Sequence, residues 1–159
     1  MGIDESFARI RSSIPEYVTI VAAAKTRSPG EVAAAIHAGV TDIGENYVQE
    51  AEQVRQVLGQ QARGVRWHMI GHLQTNKITK ALDLFDVIQT VESIKKADAI
   101  DRRARAAGKV VPVYIEINIG EEEAKHGVTA GYDAVEELAA HLGGLCGVTL
   151  EGLMTMGPL

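Results

Sequence analysis

The sequence predicts an α/β fold in which about six strand–helix units build a parallel sheet. Apolar, β-branched runs alternate with segments of helical period along the chain. The clearest run, Val110 to Ile119, is almost wholly apolar or β-branched, as expected of a parallel strand covered on both faces. No linker or low-complexity tract interrupts the pattern, so residues 1–159 are predicted to form one domain.

Six short apolar runs are the predicted strands. Each is followed by polar residues or glycine, which is typical of a buried strand that ends in a loop. In chain order they are Val18 to Ala24, Val40 to Ile43, Val65 to Ile70, Phe85 to Val91, Val110 to Ile119 and Val148 to Met154.

The predicted helices follow these strands. Ser28 can cap the first helix, Pro29 suits its first position, Glu31 completes a capping box and Gly39 is the expected end. The second helix has apolar residues at i, i+4, i+7 and i+11, which are Tyr47, Ala51, Val54 and Leu58, and Gly59 ends it. The others run from about Thr75 to Leu84, from Ser93 to near Gly108, and through Val135, Leu138, Ala139 and Leu142.

Composition is that of a soluble globular protein, with 46% apolar and 23% charged residues. No apolar run approaches the roughly 20 residues of a membrane span, and no signal pattern is present. The single cysteine, Cys146, excludes an intrachain disulfide and suits a reducing cytoplasm. Sixteen basic against 21 acidic residues argue against nucleic-acid binding. We therefore expect a cytoplasmic protein, and small anionic ligands are compatible with this charge.

Lys25 is the most informative candidate site residue, because the carboxyl ends of parallel strands meet at one edge of a sheet. It directly follows the apolar residues Val21–Ala24. Apolar surroundings favour the uncharged amine, which attacks carbonyl groups, so the position indicates Schiff-base chemistry. A lysine that merely extends from a strand end into solvent explains the position equally well.

Four further candidates lie at or near predicted strand ends: Asn46, His68, Asn118 and Met154. Asn46 is also a common type of helix cap. His68 and His72 are four residues apart, but Gly71 and the predicted strand make a helical metal pair the less favoured alternative. No Walker A loop, GxGxxG, GxSxG or CxxC motif is present, which removes the usual nucleotide, hydrolase and redox assignments.

Several segments together resemble the pyridoxal phosphate homeostasis protein family. They are Ala24–Thr26, Gly44–Glu50, Trp67–Lys77, Lys125–Gly127 and Gly152–Met156. The resemblance extends from about residue 17 to the last residue, and Trp67–Lys77 is its most specific block because several rare residue types recur there at fixed spacing.

The resemblance implies a (β/α) barrel like the N-terminal domain of alanine racemase, with pyridoxal 5′-phosphate (PLP) held as a Schiff base on Lys25. It also implies that Asn46 and His68 surround the cofactor ring and that Asn118 and Met154 line the pocket. Members of the family bind, store or deliver the cofactor rather than turn over a substrate robustly.

The chain departs from that family at its carboxyl end. Members continue for two more βα units, which carry a Ser/Gly-rich phosphate-binding segment and an arginine–glycine pair near the ring nitrogen. The expectation is therefore an incomplete (β/α) barrel with about six of the usual eight units and weak or absent PLP binding. Its open sheet edges are expected either to pair with another copy or a partner chain, or to leave the sheet soft at Val148 to Met154, with the strand Val18 to Ala24 fraying as well.

Three functions are compatible with these observations. The first is a PLP-binding protein of intracellular PLP homeostasis without robust turnover. The second is a racemase- or decarboxylase-like PLP enzyme that uses Lys25, and the third is a cofactor-free interaction module. A visible absorption band separates the first two from the third, and only the second converts an added amino acid.

Overall fold

A parallel sheet organises the computed structural model, which describes residues 2–119, 127–129 and 131–157. Strands β1 to β5 lie side by side in chain order, and β6 and β7 both pair with β5. Every pairing is parallel. The strands are β1 (Val21–Ala23), β2 (Asp42–Glu45), β3 (Arg66–Met69), β4 (Val87–Val91), β5 (Val111–Asn118), β6 (Val128–Thr129) and β7 (Val148–Thr155).

Helices connect the strands. They are α1 (Ile3–Ser13), α2 (Pro29–His37), α3 (Val48–Leu58), α4 (Ile78–Leu84), α5 (Ile94–Ala106) and α6 (Tyr132–Gly143). Short 3₁₀ segments at Gly59–Gly64 and Thr75–Lys77 follow α3 and precede α4. The predicted α/β class and the incomplete barrel are confirmed, because the strands of the described residues do not close into a barrel.

Hydrogen bonds in the structure confirm the predicted starts of helices α2 and α5. Glu31 N donates to Ser28 Oγ over 3.3 Å, while Ser28 N donates to Glu31 Oε2 over 2.8 Å, which completes the capping box of α2. Ser93 caps α5 through its hydroxyl. Gly59 follows α3 with φ of 56°, a positive value that glycine adopts at little cost.

Some predicted elements differ from the observed ones. Strand β1 is shorter than the predicted Val18 to Ala24, and the helix predicted from Thr75 starts as a 3₁₀ turn. Tyr47 precedes α3 and is 56% exposed, so it does not share the buried face of that helix. Helix α1 was not predicted because none of its residues is fully buried.

The two faces of the sheet differ in chemistry. Ile43, Trp67, Met69 and Ile88 are all at most 1% exposed and belong to the apolar core that also includes helical residues. Their neighbours along the strands point to the opposite face, because side chains alternate along a strand. That opposite face is polar near its centre, where Asp42 and His68 meet.

The polar face is concave, because side chains from strands that are not neighbours meet across it. Arg66 on β3 lies 3.9 Å from Glu151 on β7, although β4 and β5 separate these strands in the sheet. Tyr114 on β5 donates to the same Glu151 carboxylate over 3.3 Å. Among the described residues, β1 pairs only with β2 and β7 only with β5, so both strands have an open edge.

No helix in the described ranges is long and apolar enough to cross a bilayer.

Candidate functional site

The register of the sheet places Lys25 and Asn46 side by side. Ala23 pairs with Gly44, and Ala24 N donates to Gly44 O over 2.8 Å. Lys25 comes two residues after Ala23, at the carboxyl end of β1. Asn46 comes two residues after Gly44, at the carboxyl end of β2. Because adjacent strands lie about 4.8 Å apart, the two residues start from neighbouring points on one edge.

Lys25 stands on a strained turn. Its side chain is exposed, so the partial burial expected from the preceding apolar run is wrong. The next residue, Thr26, has φ of 62°, which is a genuine outlier for a β-branched side chain. Thr26 N donates to Glu50 Oε2 of α3 over 3.4 Å, a contact that supports the turn. Such strain is typically kept at sites where a side chain must be aimed in a particular direction.

The segment after β3 packs against the backbone of Asn46. A Cβ on Gly71 would lie 2.3 Å from Asn46 O and 2.6 Å from its Cα, so only glycine allows this close approach. Thr90 Oγ1 donates to Gly71 O over 2.9 Å and holds that segment in place. The Trp67–Lys77 block, which the sequence singled out as the most specific, therefore forms one wall beside Asn46.

His68 lies deeper in the concave face and is only 5% exposed. Its Nε2 is 2.8 Å from Asp42 Oδ1, and its Nδ1 is 2.9 Å from Gln89 Nε2. Both ring nitrogens are thus engaged with neighbouring strands. This geometry fixes the imidazole in place.

Asn118 and Met154 lie on the neighbouring strands β5 and β7. Met154 pairs with Glu116, which is two residues before Asn118, so the two predicted site residues share one face of the sheet. Thr155 Oγ1 donates to Ile117 O over 3.0 Å at the end of this pair of strands. β3 and β4 separate these residues from Asn46. The five predicted residues therefore fall into a β1–β2 pair, a β5–β7 pair and the buried His68.

Glu45 is a residue of this region that the sequence reasoning missed. It is fully buried at the end of β2, where no side chain among the described residues hydrogen-bonds its carboxylate and only a weak contact from the Asn46 backbone N–H lowers its pKa. Burial raises its pKa to about 7, and the nearby charge of Glu50 adds to the rise. The position between Gly44 and Asn46 is the only signal in the sequence that marks it.

The described ranges contain no group of His, Cys, Asp and Glu side chains arranged to hold a metal ion. His68 is engaged with Asp42 and Gln89, while His72 lies on the exposed segment beyond Gly71. Lys125 and His126 of the sequence motif lie outside the described residues.

The parallel sheet and the helices that connect its strands place the chain in the class of partial α/β barrels. Residues 3–159 match the family described as alanine racemase, N-terminal domain. The alanine racemase of Clostridium difficile 630 superposes with a TM-score of 0.82 at 18% identity, covering 97% of this chain and 40% of the racemase. At that identity the likeness shows the shared fold.

The chain belongs to the pyridoxal phosphate homeostasis protein family. A protein of that name from Pasteurella multocida is 33% identical over 166 aligned residues, covering 98% of this chain and 70% of the relative. The Escherichia coli K12 protein of the same name is 35% identical over 143 residues, and the match covers 89% of this chain. The chain spans 60% of the length of that relative.

A solved structure has nearly the same backbone as this chain. PipY of Synechococcus elongatus, in a structure with PLP bound, superposes with a TM-score of 0.89 at 30% identity. The superposition covers 99% of this chain and 71% of PipY.

Proposed function

We propose that this chain binds PLP as a Schiff base on Lys25 and serves in intracellular PLP homeostasis without robust turnover. The observation that carries the proposal is the exposed amine of Lys25 at the carboxyl end of β1, next to the strained Thr26 and level with Asn46. PLP supplies an aldehyde that condenses with a lysine amine and releases water.

The residues around Lys25 fit such a ligand. Its side chain forms no ion pair with any described residue, so the amine is available for reaction. Asn46, half-buried beside it, offers both an amide donor and an amide acceptor to a polar ring. We propose that Asn118 and Met154 line the far side of the same pocket, and that His68 supports the pocket from below through Asp42.

Lys25→Ala should abolish the visible absorption band of PLP-loaded protein and leave the fold intact. An exposed side chain contributes little packing, so we expect the melting temperature to change little. Borohydride reduction followed by peptide mapping should place the label on Lys25. The matched control is Lys95→Ala, which removes another exposed lysine and should keep the band. A label on Lys77, Lys80 or Lys125 with Lys25 unmodified would refute the assignment.

We expect no racemisation of alanine above the rate of free PLP. A racemase moves protons on opposite faces of its substrate and needs two positioned acid/base groups. His68 is the strongest second candidate in the sequence, but Asp42 and Gln89 occupy both of its ring nitrogens. Chiral analysis of alanine incubated with the loaded protein measures this. Racemisation that is faster than with free PLP and is lost in Lys25→Ala would favour the enzyme alternative.

We also propose that the open edges of β1 and β7 are covered by another chain or a second copy. Unpaired N–H and C=O groups along an edge strand readily pair with another strand. Light scattering of the purified chain separates the two, because only a second copy gives a mass above the 17.1 kDa of one copy. A monomer at all concentrations would contradict self-association.

A further inference from the structure

A groove of about 460 Å³, lined by both polar and apolar side chains, lies between the start of α3 and the segment that follows β3. Its polar lining comes from the two sequence blocks Gly44–Glu50 and Trp67–Lys77. The lining includes Asn46, Gln49, Met69, Gln74 and Lys77. The proposed PLP site at Lys25 does not include Gln49, Gln74 or Lys77. The groove can therefore have a function of its own.

Both walls of the groove are fixed by contacts with the rest of the fold. On one side, Gly71 packs directly on the backbone of Asn46. The segment after β3 is also held from α5, because the buried Lys96 donates from Nζ to Leu73 O. The same ammonium lies 3.3 Å from Glu92 Oε1. Leu73 is 1% exposed, which anchors the middle of the segment. The groove is therefore preformed, as small-molecule sites usually are.

The lining carries a positive charge and no carboxylate. Lys77 is half-buried and makes no ion pair with any residue in the described part of the chain. The side chains of Gln49 and Gln74 add amide donors. At the same end, the N-cap residue Tyr47 makes no capping hydrogen bond through its side chain, and the first backbone N–H groups of α3 point out of the helix. These donors together suit an anionic group better than a neutral or cationic one.

We propose that this groove is a second binding site, separate from the Lys25 amine, for a small molecule that carries a carboxylate or phosphate group. The anionic group lies against Lys77 and the start of α3. The remainder of the molecule packs on Met69 at the base of the groove and contacts the amides of Asn46, Gln49 and Gln74.

Titration of the chain with inorganic phosphate and, separately, with acetate tests the site, with backbone amide chemical shifts as the readout. Sodium chloride at equal ionic strength is the reference. We expect saturable shifts that concentrate at residues 46–50 and 72–77. Whichever probe binds more tightly identifies the phosphate or the carboxylate as the preferred group.

Two substitutions locate the binding. Lys77→Gln should weaken it about tenfold, because a charged hydrogen bond is lost. The matched control Lys95→Gln, an exposed lysine on α5, should leave it unchanged. Lys25→Ala should also leave it unchanged, so failure of the cofactor proposal and failure of this one are distinguishable. Shifts that are spread over the surface, or a dissociation constant that is unchanged in Lys77→Gln, would overturn the proposal.

Discussion

Gly71→Ala should destabilise the protein by about 3 kcal/mol, at the upper end of the usual cost of overpacking. The added Cβ would lie 2.3 Å from Asn46 O and within 3 Å of two further backbone atoms of that residue. Backbone atoms cannot rotate away as a side chain can, so the segment after β3 must move away from β2. Urea unfolding measures the loss, and amide shifts at Asn46 report the displacement.

Gly143→Ala is the matched control. Gly143 is the last residue of α6, and a Cβ there meets nothing within 4 Å. Alanine favours the helix over glycine by up to about 1 kcal/mol, so this variant should be neutral or slightly more stable. Equal losses in the two variants would show that the contact with Asn46 is not the cause. If Gly71→Ala fails to fold, Thr90→Val tests the same segment by removing the hydroxyl bond to Gly71 O, at a cost of about 1 kcal/mol.

We expect the free energy of unfolding of the natural protein to fall as the pH rises from 4.5 to 7, and we expect Glu45→Gln to remove this fall. The pKa of Glu45 is about 7 in the folded protein, against 4.5 for an unperturbed glutamate. Below pH 4.5 both folded and unfolded states hold the proton. Between pH 4.5 and 7 only the folded state holds it, so the free energy of unfolding falls with rising pH, by about 3 kcal/mol in all.

Glutamine stays neutral throughout this range, so Glu45→Gln should be more stable than the natural protein at pH 8 and lose that advantage at low pH. Urea unfolding at several pH values between 4 and 8 measures both curves, and their difference isolates Glu45 from other titrating groups. The control Glu136→Gln changes an exposed glutamate on α6 and should keep the natural pH profile. Parallel curves for Glu45→Gln and the natural protein would rule out a charged Glu45 as the cause.

Much of the architecture could be predicted from local sequence. The capping box of Ser28 and Glu31, the glycine that ends α3 and the apolar strand runs are all encoded within a few residues of where they act. The position of Lys25 at the end of β1 follows from the same kind of signal. The sequence did not predict helix α1, because that helix has little contact with the core. None of its residues is fully buried, and Phe7 is only partly buried against the core.

The sequence by itself predicted most of the strands, the helices α2 to α6 to within a few residues, and which residues stand at the strand ends. Only the tertiary structure decided what those residues touch. His68 meets Asp42 and Gln89, which lie 26 and 21 residues away, and Gly71 meets Asn46 across the gap between two strands. The burial of Glu45 depends in the same way on the helices that cover β2. Caps and periodicity act through neighbours along the chain, whereas burial and hydrogen-bond partners are set by elements brought together only when the sheet forms.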